Sequence, residues 1–201
     1  MSVYRFVVRF NQPDPRSAAY LADAHALGFN NLQMISCQDL YFIEGQLSQA
    51  ELRQLALKLL IDPVTQEFEY SLLDNSNTRA SNNEFSLIEV ALRPGVTDPV
   101  AGQIVRAAHE LGLAGVHRAA TGLRFLLEFT SSAPDIRLSA SQSVAKSTVP
   151  TVPVPDIRLS ASKSVAKSAA SSASAASLAK QLLANAVIQK FTIVKILPSL
   201  T

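Results

Sequence analysis

The chain has one cysteine, no tryptophan and seven glycines among 201 residues. A lone Cys37 excludes an internal disulfide and any cluster of cysteine metal ligands. No apolar run reaches the roughly 18 residues that a membrane-crossing helix needs, so no membrane contact is expected. The opening MSVYRFVVRFNQPD alternates and carries Arg5 and Arg9, unlike the long apolar stretch of a secretory signal. The expectation is a soluble, cytoplasmic protein.

Catalytic signatures are also missing. The sequence holds no GxxxxGK[ST] phosphate loop, no GxGxxG dinucleotide fingerprint and no GxSxG nucleophile elbow. His25, His109 and His117 are its only imidazoles, and no carboxylate or thiol is spaced to complete a metal set around them. Catalytic, cofactor-binding and metal-binding residues are therefore all expected to be none. Cys37 reads as a small buried hydrophobe.

A net positive charge is missing outside one segment. The net charge is +2 and the pI about 8.8, which by itself suggests an acidic partner. Residues 130–173, however, hold Arg137, Lys146, Arg158, Lys163 and Lys167 against only Asp135 and Asp156. The basic excess belongs to a Ser-rich stretch and not to the folded parts, so no nucleic-acid partner is expected. The aromatic signature of an RNA recognition motif is absent as well, and Phe42 and Phe125 are expected to face the helices.

What is present is a repeat. LLIDPVTQEF (59–68) returns as LLANAVIQKF (182–191), keeping Leu-Leu, Val, Gln and Phe in place. In the first copy, Tyr4, Phe6, Val8 and Phe10 alternate as a strand. Asp14-Pro15 then opens a helix as N-cap and first helical residue, and Gly28 stops it. NLQMISCQDLYFIEG has strand composition and is expected to be a hairpin turning near Gln38-Asp39. Ser48 and Glu51 form a capping box, followed by the stripe Leu52, Leu55, Ala56, Leu59 and Leu60. Asp62-Pro63 breaks this helix, and QEFEYSLL closes the unit.

The second copy restarts with FSLIEVAL. Asp98-Pro99 opens its helix, and His109 and Gly112 sit where His25 and Gly28 sat. The equivalent helix positions suit the two histidines for a structural role at a repeated packing site. GVHRAATGLRFLLEF is expected to be the second hairpin. Between it and the last helix, PDIRLSASQSVAKS (134–147) recurs as PDIRLSASKSVAKS (155–168), differing only at Gln142 and Lys163. Such low-complexity sequence, poor in large apolar groups, does not offset the entropy of ordering.

The pattern predicts an α+β fold of two tandem ferredoxin-like (βαββαβ) units related by a pseudo-two-fold axis, with a disordered insert. The first unit spans 1–73, a linker 74–84, and the second unit 85–201, interrupted by the insert 130–175. The first turns of the last helix are expected to come from the Ala/Ser tract, with Leu178, Leu182 and Leu183 in the places of Leu55, Leu59 and Leu60.

The loop ALRPGVTDPVAGQI (91–104) is two residues longer than its counterpart RFNQPDP. Pro94-Gly95 predicts a tight turn, and Asp98 a helix cap. Strand, RPGVTDPVAGQI, a helix ending in Gly and LLANAVIQKFTI together resemble the PurS family, the small subunit of phosphoribosylformylglycinamidine synthase in purine biosynthesis. Two successive copies look most like the N-terminal PurS-like region of the fused large-subunit proteins.

The resemblance implies a non-catalytic accessory subunit or domain of an ATP- and glutamine-dependent ligase. Its implied partners are the synthetase (large) subunit and the glutaminase subunit, which it would bridge while supporting ammonia transfer. The candidate partner-contact residues are Arg93, Gly95, Thr97, Gln66 and Gln189. The alternative reading is a ligand-sensing regulatory module built from paired ferredoxin-like units.

Overall fold

The alternation of Tyr4, Phe6 and Val8 becomes β1 (Ser2–Phe10) in a computed structural model that describes residues 1–73, 85–130 and 173–193. Asp14 caps α1 (Pro15–Ala26), its carboxylate accepting from the Arg16 amide at 2.8 Å. The helix closes with paired Schellman bonds, Phe29 N to Ala24 O at 3.0 Å and Gly28 N to His25 O at 2.9 Å. The capping box opens α2 (Gln49–Leu55): Ser48 N donates to the Glu51 carboxylate at 2.8 Å and Glu51 N to Ser48 Oγ at 3.3 Å.

α2 runs into one π turn (Ala56–Leu60), and β3 (Gln66–Leu72) follows. The second half of the chain repeats these parts: β4 (Phe85–Leu92), α3 (Pro99–Glu110), β5 (Val116–Phe129) and β6 (Gln189–Ile193). A last helix, α4 (173–178), precedes β6 and also ends in a π turn, Ala179–Leu183. Ala175 is helical and buried, so the Ala/Ser tract does supply the first turns of this helix, ahead of the expected boundary. Of the insert 130–175, residues 131–172 lie outside the described residues, as does the linker 74–84.

Neither expected hairpin forms. Leu32–Gly45 is one continuous strand, β2, and Val116–Phe129 is another. The two long strands pair antiparallel with each other from Leu32–Phe129 to Gly45–Val116. Gln38-Asp39 is not a turn: both residues sit in the ladder with β5, and their side chains are held on its two faces. Asp39 takes two bonds from the Arg16 guanidinium at 2.8 and 3.1 Å, and Gln38 is buried. Gly122 serves a close approach and not a reversal: a Cβ there would meet the Val90 carbonyl at 2.6 Å.

All six strands form one antiparallel sheet in the order β3-β1-β2-β5-β4-β6. The order reads as one three-stranded half and its repeat, joined at β2 and β5. The register is symmetric about the pair Asp39–Leu123: Gln38 faces Arg124 and Leu40 faces Gly122.

One face of the sheet carries the helices. Phe6, Ile43 and Ala119 pack with Leu52 and Leu55 of α2 and Ile104 and Ala108 of α3. Cys37, Ile88 and Phe125 pack with Ala24 of α1 and Ala175 and Leu178 of α4. The opposite face holds a third cluster of Val7, Leu40, Phe42, Ala91 and Ala120, with no helical member among the described residues. Phe125 therefore faces the helices as expected, whereas Phe42 faces away from them.

On that opposite face Arg5 of β1 contacts Glu89 of β4, although β2 and β5 lie between them. Three inter-strand steps of about 4.8 Å each are too wide for two side chains on a flat sheet. The contact, with both residues buried, therefore implies a sheet that curves toward this face and makes it concave.

Candidate functional site

The loop from Arg93 to Asp98 leaves the end of β4 and delivers the chain to α3. Pro94 and Gly95 occupy the centre of a tight turn closed by Val96 N to Arg93 O at 3.1 Å, with Gly95 at φ 82°. That positive φ at the third position is what a Pro-Gly turn of type II requires. Asp98 is buried and holds the loop from inside. One carboxylate oxygen accepts from Ala101 N at 2.9 Å, and the other from Thr121 N and Oγ1, both at 2.8 Å. The expected cap is thus present, and it is tied to the central strand β5 as well.

The loop docks on the second copy's repeated turn. Arg93 N donates to Ile188 O at 2.9 Å, and Arg93 Nε to Gln189 O at 3.0 Å. Part of the guanidinium expected to reach a partner is therefore used within the chain. Gly95 and Thr97 are exposed beside it, and a cleft of about 210 Å³ opens between them, Val105 and Ala119.

The repeated endings fold identically. Asp62 Oδ1 accepts from Val64 N at 2.9 Å, and Asn185 Oδ1 from Val187 N at 3.0 Å. Gln66 Oε1 accepts from Asp62 N at 2.9 Å, and Gln189 Oε1 from Asn185 N at 2.8 Å. The side-chain carbonyls of Gln66 and Gln189 thus hold their own turns. The turns instead present valines: Val64 is 82% exposed and Val187 81%. A first-copy loop docks here too, since Asn11 N donates to Thr65 O at 2.9 Å. The geometry thus groups Arg93, Gly95, Thr97 and Gln189 at one end of the second half. Gln66 lies in the corresponding place of the first.

The two repeated histidines do the same structural work. His25 Nε2 bonds the Leu32 carbonyl at 2.8 Å and His109 Nε2 the Val116 carbonyl at 2.7 Å. Each ties a helix end to the start of the following long strand. Burial pushes the Cys37 thiol pKa up, which keeps it a poor nucleophile.

The concave face holds charges that sequence reasoning did not single out. Glu89 is fully buried, Arg5 is 3% exposed, and the two are paired. Arg124 Nε reaches Glu89 at 2.9 Å, and its Nη1 lies 3.4 Å from Gln38 Oε1 and 3.8 Å from a Glu69 carboxylate oxygen. Burial, reinforced by the neighbouring Arg124, lowers the Arg5 pKa to about 9, and the guanidinium is charged at neutral pH.

Among the described residues, no group of three or more His, Cys, Asp or Glu side chains is placed to hold a metal ion, and no helix is long and apolar enough to cross a membrane. No protein-family model matches the chain, and no curated protein matches it.

Proposed function

We propose that the chain is a PurS-like, non-catalytic accessory subunit or domain of phosphoribosylformylglycinamidine synthase. It bridges the glutaminase and ATP-dependent synthetase parts and supports the passage of ammonia between them. In this reading each half is a ferredoxin-like order whose two middle strands have run together. The halves are related by a pseudo-two-fold axis through Asp39 and Leu123.

The observation that carries the reading is the docking of the two family-like phrases on each other. RPGVTDP is fixed to the turn of LLANAVIQKF by the bonds from Arg93 to Ile188 and Gln189. Two stretches that carry the resemblance from distant parts of the chain thus build one continuous surface. That surface exposes Pro94, Gly95, Thr97 and Val187. Rigid loops with small polar and apolar tips lose little freedom on binding, which favours a docking surface over a reaction centre.

A tandem arrangement supplies both halves of a symmetric bridge within one chain, at high effective concentration. Tagging the chain in its own cell and identifying what co-purifies tests the assignment. The synthetase and glutaminase parts of one synthase are the expected companions. Recovery with an unrelated enzyme or transporter favours a regulatory module.

A further inference from the structure

The buried charges on the concave face are divided unequally between the two halves. β1 aligns with β4 by their pairing to β3 and β6: Phe10 faces Gln66 as Leu92 faces Gln189. On this alignment the counterpart of Arg5 is Leu87, and the counterpart of Glu89 is Val7. The long strands align by Asp39 and Leu123, so the counterpart of Arg124 is Leu40. Arg5, Glu89 and Arg124 thus each have an apolar residue at the equivalent position of the other half. The ion pair Arg5–Glu89 and the contacts of Arg124 with Gln38 and Glu69 all cross the seam between halves.

We propose that this division makes the seam heterotypic: the first half accepts a PurS-like unit bearing an acid where Glu89 stands, and is closed to a second copy of itself. In a first-with-first pair, Arg5 would face Val7 of the other copy. Two guanidiniums would be buried without Glu89, each left with only the exposed Glu69 of its own half nearby, and taking the partner from a buried charge is among the costliest changes a fold can make. In a second-with-second pair, Glu89 would keep Arg124 but face Leu87 in place of Arg5. Complementary charges on opposite sides of a seam select a partner by penalising the wrong ones: a first-with-first pair takes Glu89 from both Arg5 side chains, and a second-with-second pair takes Arg5 from Glu89 and Gln38 and Glu69 from Arg124.

The inference does not depend on the synthase assignment, because it concerns only how the halves find each other. It is tested on the whole chain carrying a protease site between Leu73 and Phe85. The folded protein is nicked, unfolded in denaturant, refolded, and its assemblies are counted by native mass spectrometry. The parent seam should return first-with-second pairs almost alone. The triple variant Arg5→Leu, Glu89→Val, Arg124→Leu gives each position its counterpart's side chain, and should scramble toward statistical pairing.

A second measurement needs no refolding of nicked protein. Residue 123 lies on the symmetry axis, so in an intact Cys37→Ala, Leu123→Cys chain two such thiols meet only in a second-with-second pair. A short bis-maleimide should link no chains through the introduced thiol when the intact parent seam is refolded at high concentration. Abundant 123-to-123 links, or statistical pairing of the nicked parent, would overturn the proposal. Exclusive first-with-second pairing in a folded triple variant would overturn it as well.

Discussion

Gln66 and Gln189 accept from the backbone N–H of the residue four places before them, Asp62 and Asn185, and so close the same turn in both halves. Replacing either glutamine by alanine removes one bond at an exposed site. The expected loss is about 0.5–1.5 kcal/mol of stability per turn, read from urea midpoints. Partner affinity should fall only as far as the turn loosens.

Asp62 and Asn185 make the same bond to the valine two residues on, but only Asp62 titrates. Bonds from Val64 N and the Thr65 hydroxyl hold its pKa below the ordinary carboxylate value. A depressed folded pKa contributes stability that is present above the unfolded pKa of 3.8 and is lost as pH falls through the folded value. Asp62→Asn should therefore flatten part of the acid dependence below about pH 4 while keeping the turn. Comparing urea midpoints of parent and variant at pH 3 and pH 7 checks the sign.

Asp98 supports more than a helix end. Its loss removes the cap bond to Ala101 and leaves Thr121 N and Oγ1 without their acceptor. Asp98→Ala should cost about 2–3 kcal/mol, above an ordinary cap loss, because buried donors are left unsatisfied. Asp14→Ala is the comparison: it loses a bond to the Arg16 amide and a contact with the half-exposed Arg16 side chain. It should cost about 1 kcal/mol. Thermal or chemical melts of the two variants side by side decide the order.

Glu89→Ala leaves Arg5 and Arg124 buried without the carboxylate between them. The expected loss is about 3–5 kcal/mol, the range for breaking a buried pair from one side. Replacing Arg5, Glu89 and Arg124 together by Leu, Val and Leu should recover most of that loss, since well-packed apolar groups often replace buried ions at no cost. A triple variant as unstable as Glu89→Ala would mean the charges are not the source of the effect.

Features set by neighbouring residues were legible in the sequence. Asp14-Pro15, Asp98-Pro99, Ser48-x-x-Glu51 and the glycines after each histidine each form their cap or stop from residues within a few positions. The leucine stripe and the exposed Pro94-Gly95 turn are local in the same sense. The two long strands were not legible. A 14-residue strand that pairs with β5 throughout but with β1 only from Asp39 onward has the composition of two short strands, and Thr121-Gly122 mimics turn chemistry. Only the pairing of β2 with β5 reveals that the chain continues.

The ion network was hidden for a different reason. Arg5, Glu89 and Arg124 alternate correctly as outward strand residues, and only the curvature of the sheet buries them. The turn role of Gln66 and Gln189 did leave a signal, an Asp or Asn four residues before each Gln. Read as an Asx turn with a returning glutamine, that spacing assigns both residues to their own backbone before any partner.

Arg93 separates a structural loop from a docking loop. Its Nε bond to Gln189 is exposed, so Arg93→Ala should change stability by no more than about 0.5 kcal/mol. If the loop meets the synthetase subunit, the same change should weaken assembly several-fold in a calorimetric titration. An intact fold that binds like the parent would reduce the loop to a turn.

The accessory role is tested most directly by reconstitution. The synthetase and glutaminase subunits are assayed for glutamine-dependent amidation of formylglycinamide ribonucleotide, with and without the purified chain. The account predicts that the chain alone is inactive and that adding it restores glutamine-dependent turnover, saturating at a fixed ratio to the synthetase. Full, stable turnover in its absence, unchanged by its addition, would contradict the account.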